Sequence, residues 1–285
     1  MSLTSFLGNK DVRAKFSQEF TKPKFNLKKE ILAPPVTNHY GLVGTAFDYL
    51  MRFYIEHLNP EAISSTWIAE SAVAQMNLLG LARSQDSVIG IDPGLIDKGE
   101  QIVSQARTAY SKYLKSGLMN DELIKSALLL AQLDIYFRAG IVDENFGTVD
   151  EGDIADLRKL VSIINPDLFR AKRLCMLNPT FGEASHLVGG ADADLLIDNM
   201  LIDIKTTKNL ELKREDFNQL VGYYILFNIG GIDDAPLEPK IERIGIYFSR
   251  YAELQSFPVN TVIDEGKILP FIDWFKSRAD ELFST

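Results

Sequence analysis

The chain has 285 residues, of which 46% are hydrophobic and 24% are charged, proportions that suit a globular protein with a substantial buried core. Its net charge of −9 disfavours a sequence-independent nucleic-acid binder, and its single cysteine, Cys175, excludes an internal disulfide, a four-cysteine zinc site and an iron–sulfur cluster. No apolar run reaches the ~20 residues of a membrane helix and the first residues lack the apolar core of a signal peptide, so we expect a cytoplasmic protein with no membrane partner.

The N-terminal part of the chain, residues 1–43, is predicted to form an arm that precedes the folded core. Its basic stretch at 22–29 is interpreted as a solvated surface rather than as a phosphate-binding patch. Residues 45–58 then carry apolar side chains at helical spacing, and the Asn-Pro dipeptide at 59–60 is expected to end this helix.

The middle of the chain is predicted to be helical. Apolar side chains recur at three- and four-residue spacing, and helices are expected at 62–79, 99–116, 121–138 and 154–164, with a loop at 147–153. We interpret residues 59–164 as a helical insertion or cap.

The pattern changes in the last part of the chain. Strands are predicted at 173–177, in a hairpin between 190 and 206, and at 241–250, with helices at 213–229 and 264–283. This order of elements predicts an α/β fold built on a mixed β-sheet.

The hairpin is the most informative part of the sequence. The Asp-Asn dipeptide at 198–199 separates two apolar runs and is expected to form a two-residue type I′ turn. That turn pairs Ile197 with Met200 and Leu196 with Leu201. Because side chains alternate between the two faces of a strand, one face would be wholly apolar: Ala191, Ala193, Leu195, Ile197, Met200, Ile202 and Ile204.

The other face of the predicted hairpin gathers charged side chains. The same register sets Asp194 opposite Asp203 and Asp192 opposite Lys205. Aspartate is depleted in strands, and facing like charges with Cβ atoms roughly 5 Å apart are destabilising. We therefore expect a divalent cation between these carboxylates, because Mg²⁺ is bound by one or two carboxylates together with water and phosphate oxygens. An ammonium on the same face can orient a water molecule or stabilise a charged transition state.

These residues resemble a known superfamily. Asp194 followed by Asp203-Ile204-Lys205 on the next strand is similar to the PD-(D/E)xK nuclease signature. Gln219 and Tyr223, on the helix after the lysine strand, resemble the Gln-x-x-x-Tyr motif of the RecB-like exonuclease branch, and their i, i+4 spacing sets both on one helix face. The resemblance covers residues 44–58 and 171–250.

The resemblance implies a fold and an activity. The fold would be a mixed-sheet, restriction-endonuclease-like core flanked by helices, formed by residues 44–58 and 165–285, with an α-helical N-terminal and inserted region. The activity would be that of a metal-dependent, exonuclease-like deoxyribonuclease acting on DNA, with single-stranded DNA or DNA ends as the substrate.

The resemblance also implies the roles of the site residues. Asp194, Asp203 and the carbonyl of Ile204 would hold Mg²⁺ or Mn²⁺, and Lys205 would position the attacking water. The side chains of Gln219 and Tyr223 would support the active site and contact the DNA strand.

Three positions leave alternatives open. The branch usually has Gly-x-x-x-His on an early helix, whereas this chain has Gly44 followed by Asp48, which is either a further metal ligand or part of a capping box that starts at Thr45. Asp192 is an alternative ligand to Asp194. Glu183 is either a ligand from a preceding strand or a loop acid.

The same residues also fit two other functions. The chain could be a relative that binds nucleic acid without cutting it, although the presence of the signature residues counts against this. It could also be an RNase or a structure-specific endonuclease, because those enzymes would use the same chemistry at the same site.

Overall fold

A computed structural model describes residues 2–82, 92–141, 145–236 and 238–283. Six strands form one mixed sheet in the order of their numbers, with β1 parallel to β2, β4 parallel to β5, and the other neighbours antiparallel. The predicted α/β class with a mixed sheet is confirmed. The strands are β1 (Ile63–Ser64), β2 (Cys175–Leu177), β3 (Leu195–Ile197), β4 (Met200–Lys205), β5 (Arg243–Phe248) and β6 (Glu253–Pro258).

Helices account for most of the remaining regular structure. They are α1 (Leu3–Gly8), α2 (Lys10–Glu19), α3 (Tyr40–Leu58), α4 (Ile68–Ala82), α5 (Pro93–Ser116), α6 (Asp121–Ala139), α7 (Glu151–Ser162), α8 (Glu183–Leu187), α9 (Arg214–Gly230), α10 (Val259–Val262) and α11 (Glu265–Phe283). Among the described helices, none combines the length and the apolar character that crossing a membrane requires.

Both faces of the sheet are covered by helices. Leu195, Ile197 and Ile202 belong to a core shared with α3 to α7, whereas Leu196 and Leu201 belong to a second core shared with α1, α2, α9 and α11. Residues that alternate along β3 and β4 are therefore apolar on both sides. The predicted apolar face is wrong at two positions, because the second core also takes in Ala191 and Ala193.

The N-terminal segment contributes directly to this second core. Phe6 of α1 and Phe16 of α2 are fully buried, and both contact the ring of Phe275 on α11. The basic stretch has contacts as well, since Lys22 donates to the carbonyl of Leu212. The division into residues 1–43, 44–58 with 165–285, and 59–164 stays a prediction.

Several predicted boundaries need correction. Helix α3 begins at Tyr40 rather than at residue 45, and residues 63–64 form the edge strand β1 where a helix was expected. Helix α7 begins inside the predicted loop, because the side chain of Asp150 accepts a hydrogen bond from the N–H of Gly152 and so caps the helix.

The hairpin register is confirmed near the turn, but the turn type is wrong. Ile197 pairs with Met200 and Leu196 with Leu201. A type I′ turn needs a positive φ at both central residues, and of these only Asp198 has one, at 54°. Its carboxylate accepts hydrogen bonds from the backbone N–H groups of residues 172–174, which holds this conformation in place.

Candidate active site

The acidic end of the hairpin differs from the prediction. The paired ladder between β3 and β4 ends at Leu195, so the expected pairs of Asp194 with Asp203 and of Asp192 with Lys205 are wrong. In antiparallel pairing alternate N–H groups of a strand bond to the same neighbour. In β4 the next N–H of this series is that of Ile204. It donates to a side-chain carboxylate instead of the backbone carbonyl that would have continued the ladder.

That carboxylate belongs to Asp194, whose Oδ2 accepts from the Ile204 N–H at 2.5 Å. Asp192 turns away from the hairpin and forms an isolated bridge with Thr180. Its Oδ2 accepts a hydrogen bond of 3.3 Å from the side-chain amide of Asn178. Asp194 is thus oriented by β4, whereas Asp192 is held by the segment that follows β2.

Asp194 and Asp203 still act on each other electrostatically. Asp203 is only 1% exposed. Burial raises the pKa of Asp194 well above its usual range, and the charges of Asp203 and Asp48 raise it further. Burial also raises the pKa of Asp203, although the charge of Lys205 opposes this. Carboxylates held in this way favour a proton or another cation.

Lys205 begins a chain of polar contacts that reaches α9. Its Nζ lies 2.8 Å from Oδ2 of Asp203 and donates to Oε1 of Gln219 at 3.0 Å. The amide of Gln219 donates in turn to the hydroxyl of Tyr223 at 2.6 Å, so the predicted shared face of this residue pair is confirmed. The ring of Tyr223 is buried and stacks on Phe181.

The protonation state of Lys205 follows from its surroundings. Burial alone would lower the pKa of its ammonium, but the charges of Asp203 and Asp194 outweigh burial and raise the pKa above its usual value. Lys205 is therefore a cation at neutral pH. It can donate hydrogen bonds to an anion or to water, and it cannot serve as a general base there.

Asp48 lies well inside α3, so the capping box from Thr45 to Asp48 is wrong: these residues do not start the helix. Oδ2 of Asp48 pairs with Arg52 at 2.8 Å. Its Oδ1 is buried and has no hydrogen-bond partner among the described residues. Burial raises the pKa of Asp48 in spite of the arginine. An unpaired buried oxygen of this kind is suited to binding a cation.

One cleft of about 300 Å³ brings several of these groups together. Its lining includes Asp48 from α3, Asp194, and Ile204 from β4. Helix α6 adds Asp134 and Arg138, which sequence reasoning missed. Their i, i+4 spacing was visible in the sequence, but no pattern connected α6 with the hairpin.

Of the two residues that α6 adds to the cleft, Asp134 is buried and Arg138 is exposed. Its Oδ1 accepts from the hydroxyl of Tyr49 at 2.5 Å, and the guanidinium of Arg52 lies 4.2 Å from the centre of the Tyr49 ring. Burial raises the pKa of Asp134 to about 6, although the hydrogen bond from Tyr49 opposes the shift. The wall that faces the hairpin thus carries its own buried polar network.

The described parts of the chain contain no group of three or more His, Cys, Asp or Glu side chains placed to hold a metal ion. Glu183 is not on a strand as one interpretation required, since it is an exposed residue of α8. A cation in the cleft would therefore rely on few protein ligands. Mg²⁺ commonly binds in this way and keeps several water molecules.

No protein-family model matches the chain, and neither a curated protein nor a solved structure matches it.

Proposed function

We propose that this protein is a metal-dependent deoxyribonuclease of the PD-(D/E)xK type, similar to the RecB-like exonucleases. The observation that carries the proposal is the connected set of Asp203, Lys205, Gln219 and Tyr223, of which the first and the last are buried, beside the oriented carboxylate of Asp194. These are the residues on which the sequence resemblance rests, and they occur in the same order along the chain. A restriction-endonuclease-like core and residence in the cytoplasm belong to the same proposal.

The donor set fits Mg²⁺ or Mn²⁺. Asp194 and Asp203 would hold the ion, with the carbonyl of Ile204 as the resemblance implies, and the free Oδ1 of Asp48 offers a further oxygen. Asp192 is the weaker candidate, because its carboxylate is bonded to Asn178. The fit is chemical, because hard divalent cations prefer carboxylate oxygens. Burial raises the pKa of both Asp194 and Asp203, so an ion that replaces their lost solvation would stabilise the charged carboxylates.

The bound ion would neutralise charge on a phosphodiester and lower the pKa of a bound water. The ammonium of Lys205 would donate to that water or to a phosphate oxygen as negative charge develops there. Gln219 holds the ammonium through its Oε1, and Tyr223 accepts from the amide of Gln219, which fixes its orientation. Lys205 would be a catalytic residue, and the other two would position it.

The proposal is tested with the purified full chain on end-labelled single-stranded DNA, linear duplex, circular DNA and RNA. We expect cleavage of DNA with Mg²⁺ or Mn²⁺, none in EDTA, and activity that rises from acid towards mildly alkaline pH as the carboxyls lose their protons. Asp203→Asn should be inactive, whereas Asp273→Asn, at an exposed position of α11, should cleave like the wild type.

Cleavage that persists in EDTA, or equal activity of Asp203→Asn, would refute the proposal. Binding of DNA without any cleavage would favour a non-cutting relative instead. Selective cleavage of RNA would assign the same site to an RNase.

A further inference from the structure

The cleft has a rim whose residues play no part in the proposed chemistry. Tyr40 from the first turn of α3, Arg138 from the last turn of α6 and Thr206, which follows β4, line the same cleft as Asp48 and Asp194. They come from three separate parts of the chain. A strand bound in this cleft would lie against these side chains.

Tyr40 presents an accessible aromatic ring at this rim. The residue is 44% exposed, and its hydroxyl donates to Oδ1 of Asn38 at 2.9 Å. Nζ of the exposed Lys208 lies 5.5 Å from the centre of the ring. A hydrogen-bonded ring with a cation nearby offers a flat surface on which an unpaired base can stack beside a positive charge.

Arg138 contributes a positive charge to the same cleft. It is exposed, and within the described ranges no side chain forms a hydrogen bond or an ion pair with it. Its charge nevertheless acts on Asp48 and Asp134. A polyanion that enters a cleft lined by carboxylates is repelled unless cations offset them. Arg138 is placed to do this by pairing with a phosphate.

The N-terminus of α3 adds to the attraction for phosphate. This 19-residue helix has no side-chain capping hydrogen bond from its N-cap residue. Its first turn, which includes Tyr40 and Gly41, lines the cleft. The positive end of the helix dipole favours an anion there.

We propose that this rim binds single-stranded nucleic acid, with a base stacked on Tyr40 and an adjacent phosphate paired with Arg138. The inference rests on the proposed nuclease function and specifies its substrate. In a duplex the bases are stacked on each other and no internal base can cover the Tyr40 ring, whereas a single strand exposes every base. The rim therefore selects an unpaired strand before it reaches the carboxylates.

The test measures binding by fluorescence anisotropy, in EDTA and in the Lys205→Ala background, so that cleavage does not interfere. The probes are a labelled single-stranded DNA, the same sequence as RNA, and a duplex closed by hairpin loops at both ends. Tyr40→Ala, Tyr40→Phe and Arg138→Ala are compared with Phe137→Ala, which removes an exposed aromatic residue next to Arg138 that does not line the cleft.

We expect Tyr40→Ala to weaken binding of single-stranded DNA about 5- to 150-fold, as loss of one stacked base implies. Tyr40→Phe keeps the ring and should bind within about 2-fold of the parent, as should Phe137→Ala. Arg138→Ala should weaken binding and reduce the slope of log affinity against log salt by about 0.7, the value for one phosphate contact on a single strand. Equal losses on DNA and RNA would assign the rim to unpaired strands of either kind.

An unchanged affinity of Tyr40→Ala for the single strand would overturn the inference. An equal loss on the closed duplex would also overturn it, because stacking on an unpaired base could not explain that loss. If the wild type cleaves DNA and Tyr40→Ala binds normally, the inference alone fails. If neither the wild type nor Lys205→Ala binds any nucleic acid, the proposed function fails with it.

Discussion

Two ion pairs in this protein, one fully buried and one partly exposed, differ in how fully their carboxylate oxygens are used. Arg250, just after β5, reaches both oxygens of Asp156 on α7 at 2.7 and 3.0 Å, and the backbone N–H of Val36 adds a third hydrogen bond. In the pair of Arg52 and Asp48 one carboxylate oxygen is bonded and the other is buried without a partner. Both oxygens of Asp156 are thus bonded, although Nε of Arg250 has no partner among the described residues, whereas Asp48 keeps one oxygen unbonded. Unused acceptors thus distinguish Asp48, a candidate cation ligand, from Asp156, whose bonds are structural.

The strongest test of this comparison is to break the pair of Arg250 and Asp156. Arg250→Ala should lower the free energy of unfolding by roughly 3–5 kcal/mol, because it leaves the carboxylate of Asp156 buried and unpaired. Arg158→Ala is the matched control, since this arginine also bonds to both oxygens of a carboxylate, that of Asp121, but on the surface. Its loss should change the free energy of unfolding far less, because solvent screens an exposed ion pair. Urea unfolding measures both, and equal losses would show that burial of the first pair is unimportant.

The next-largest expected effect concerns the positive charge of Lys205, which lies beside the carboxylate of Asp203. Lys205→Ala should reduce the cleavage rate roughly 10²- to 10³-fold while DNA binding changes little, because the ammonium acts mainly on charge that develops during the reaction. Lys276→Ala, at an exposed position of α11, is the control for removing one positive charge. Rates under single-turnover conditions give the comparison. A variant that cleaves normally would remove Lys205 from the mechanism.

The smallest expected effect is a pH dependence of stability. The pKa of Asp134 is raised by burial to about 6. The folded state therefore holds a proton that the unfolded chain releases near pH 4, and this contribution to stability is lost as the pH rises through about 6. Asp134→Asn keeps an acceptor for Tyr49 and removes the titrating group. In EDTA it should be more stable than the wild type by roughly 1–3 kcal/mol above pH 7, with the difference vanishing near pH 4. A difference that does not change with pH would contradict the assignment.

Short-range spacing predicted the polar contacts between β4 and α9 well. The two-residue period of a strand puts Asp203 and Lys205 on one face, and the helical period puts Gln219 and Tyr223 on one face; the contacts between them follow from these periods. The register next to the turn was also predictable, because it depends only on the turn length and the apolar pattern.

The residues that α6 adds to the cleft could not be predicted from local spacing. Asp134 and Arg138 reach the cleft through the packing of α6 against α3, which depends on contacts distant in sequence. The length of the hairpin was overestimated because a side chain, that of Asp194, replaces a backbone acceptor. The charged residues expected at one end of the hairpin lie beyond the paired part of β3 and β4, which is apolar on both sides because helices cover both faces of the sheet.

The hydrogen bond from Ile204 to Asp194 makes one backbone amide a reporter for the whole site. Elsewhere in the sheet an amide is protected from solvent exchange by a carbonyl that never titrates, but here protection depends on a carboxylate. Protonation of Asp194, or its recruitment by a metal, would weaken this bond and speed exchange at a single position. The ionic state of the cleft can thus be followed by hydrogen–deuterium exchange, with no substrate present.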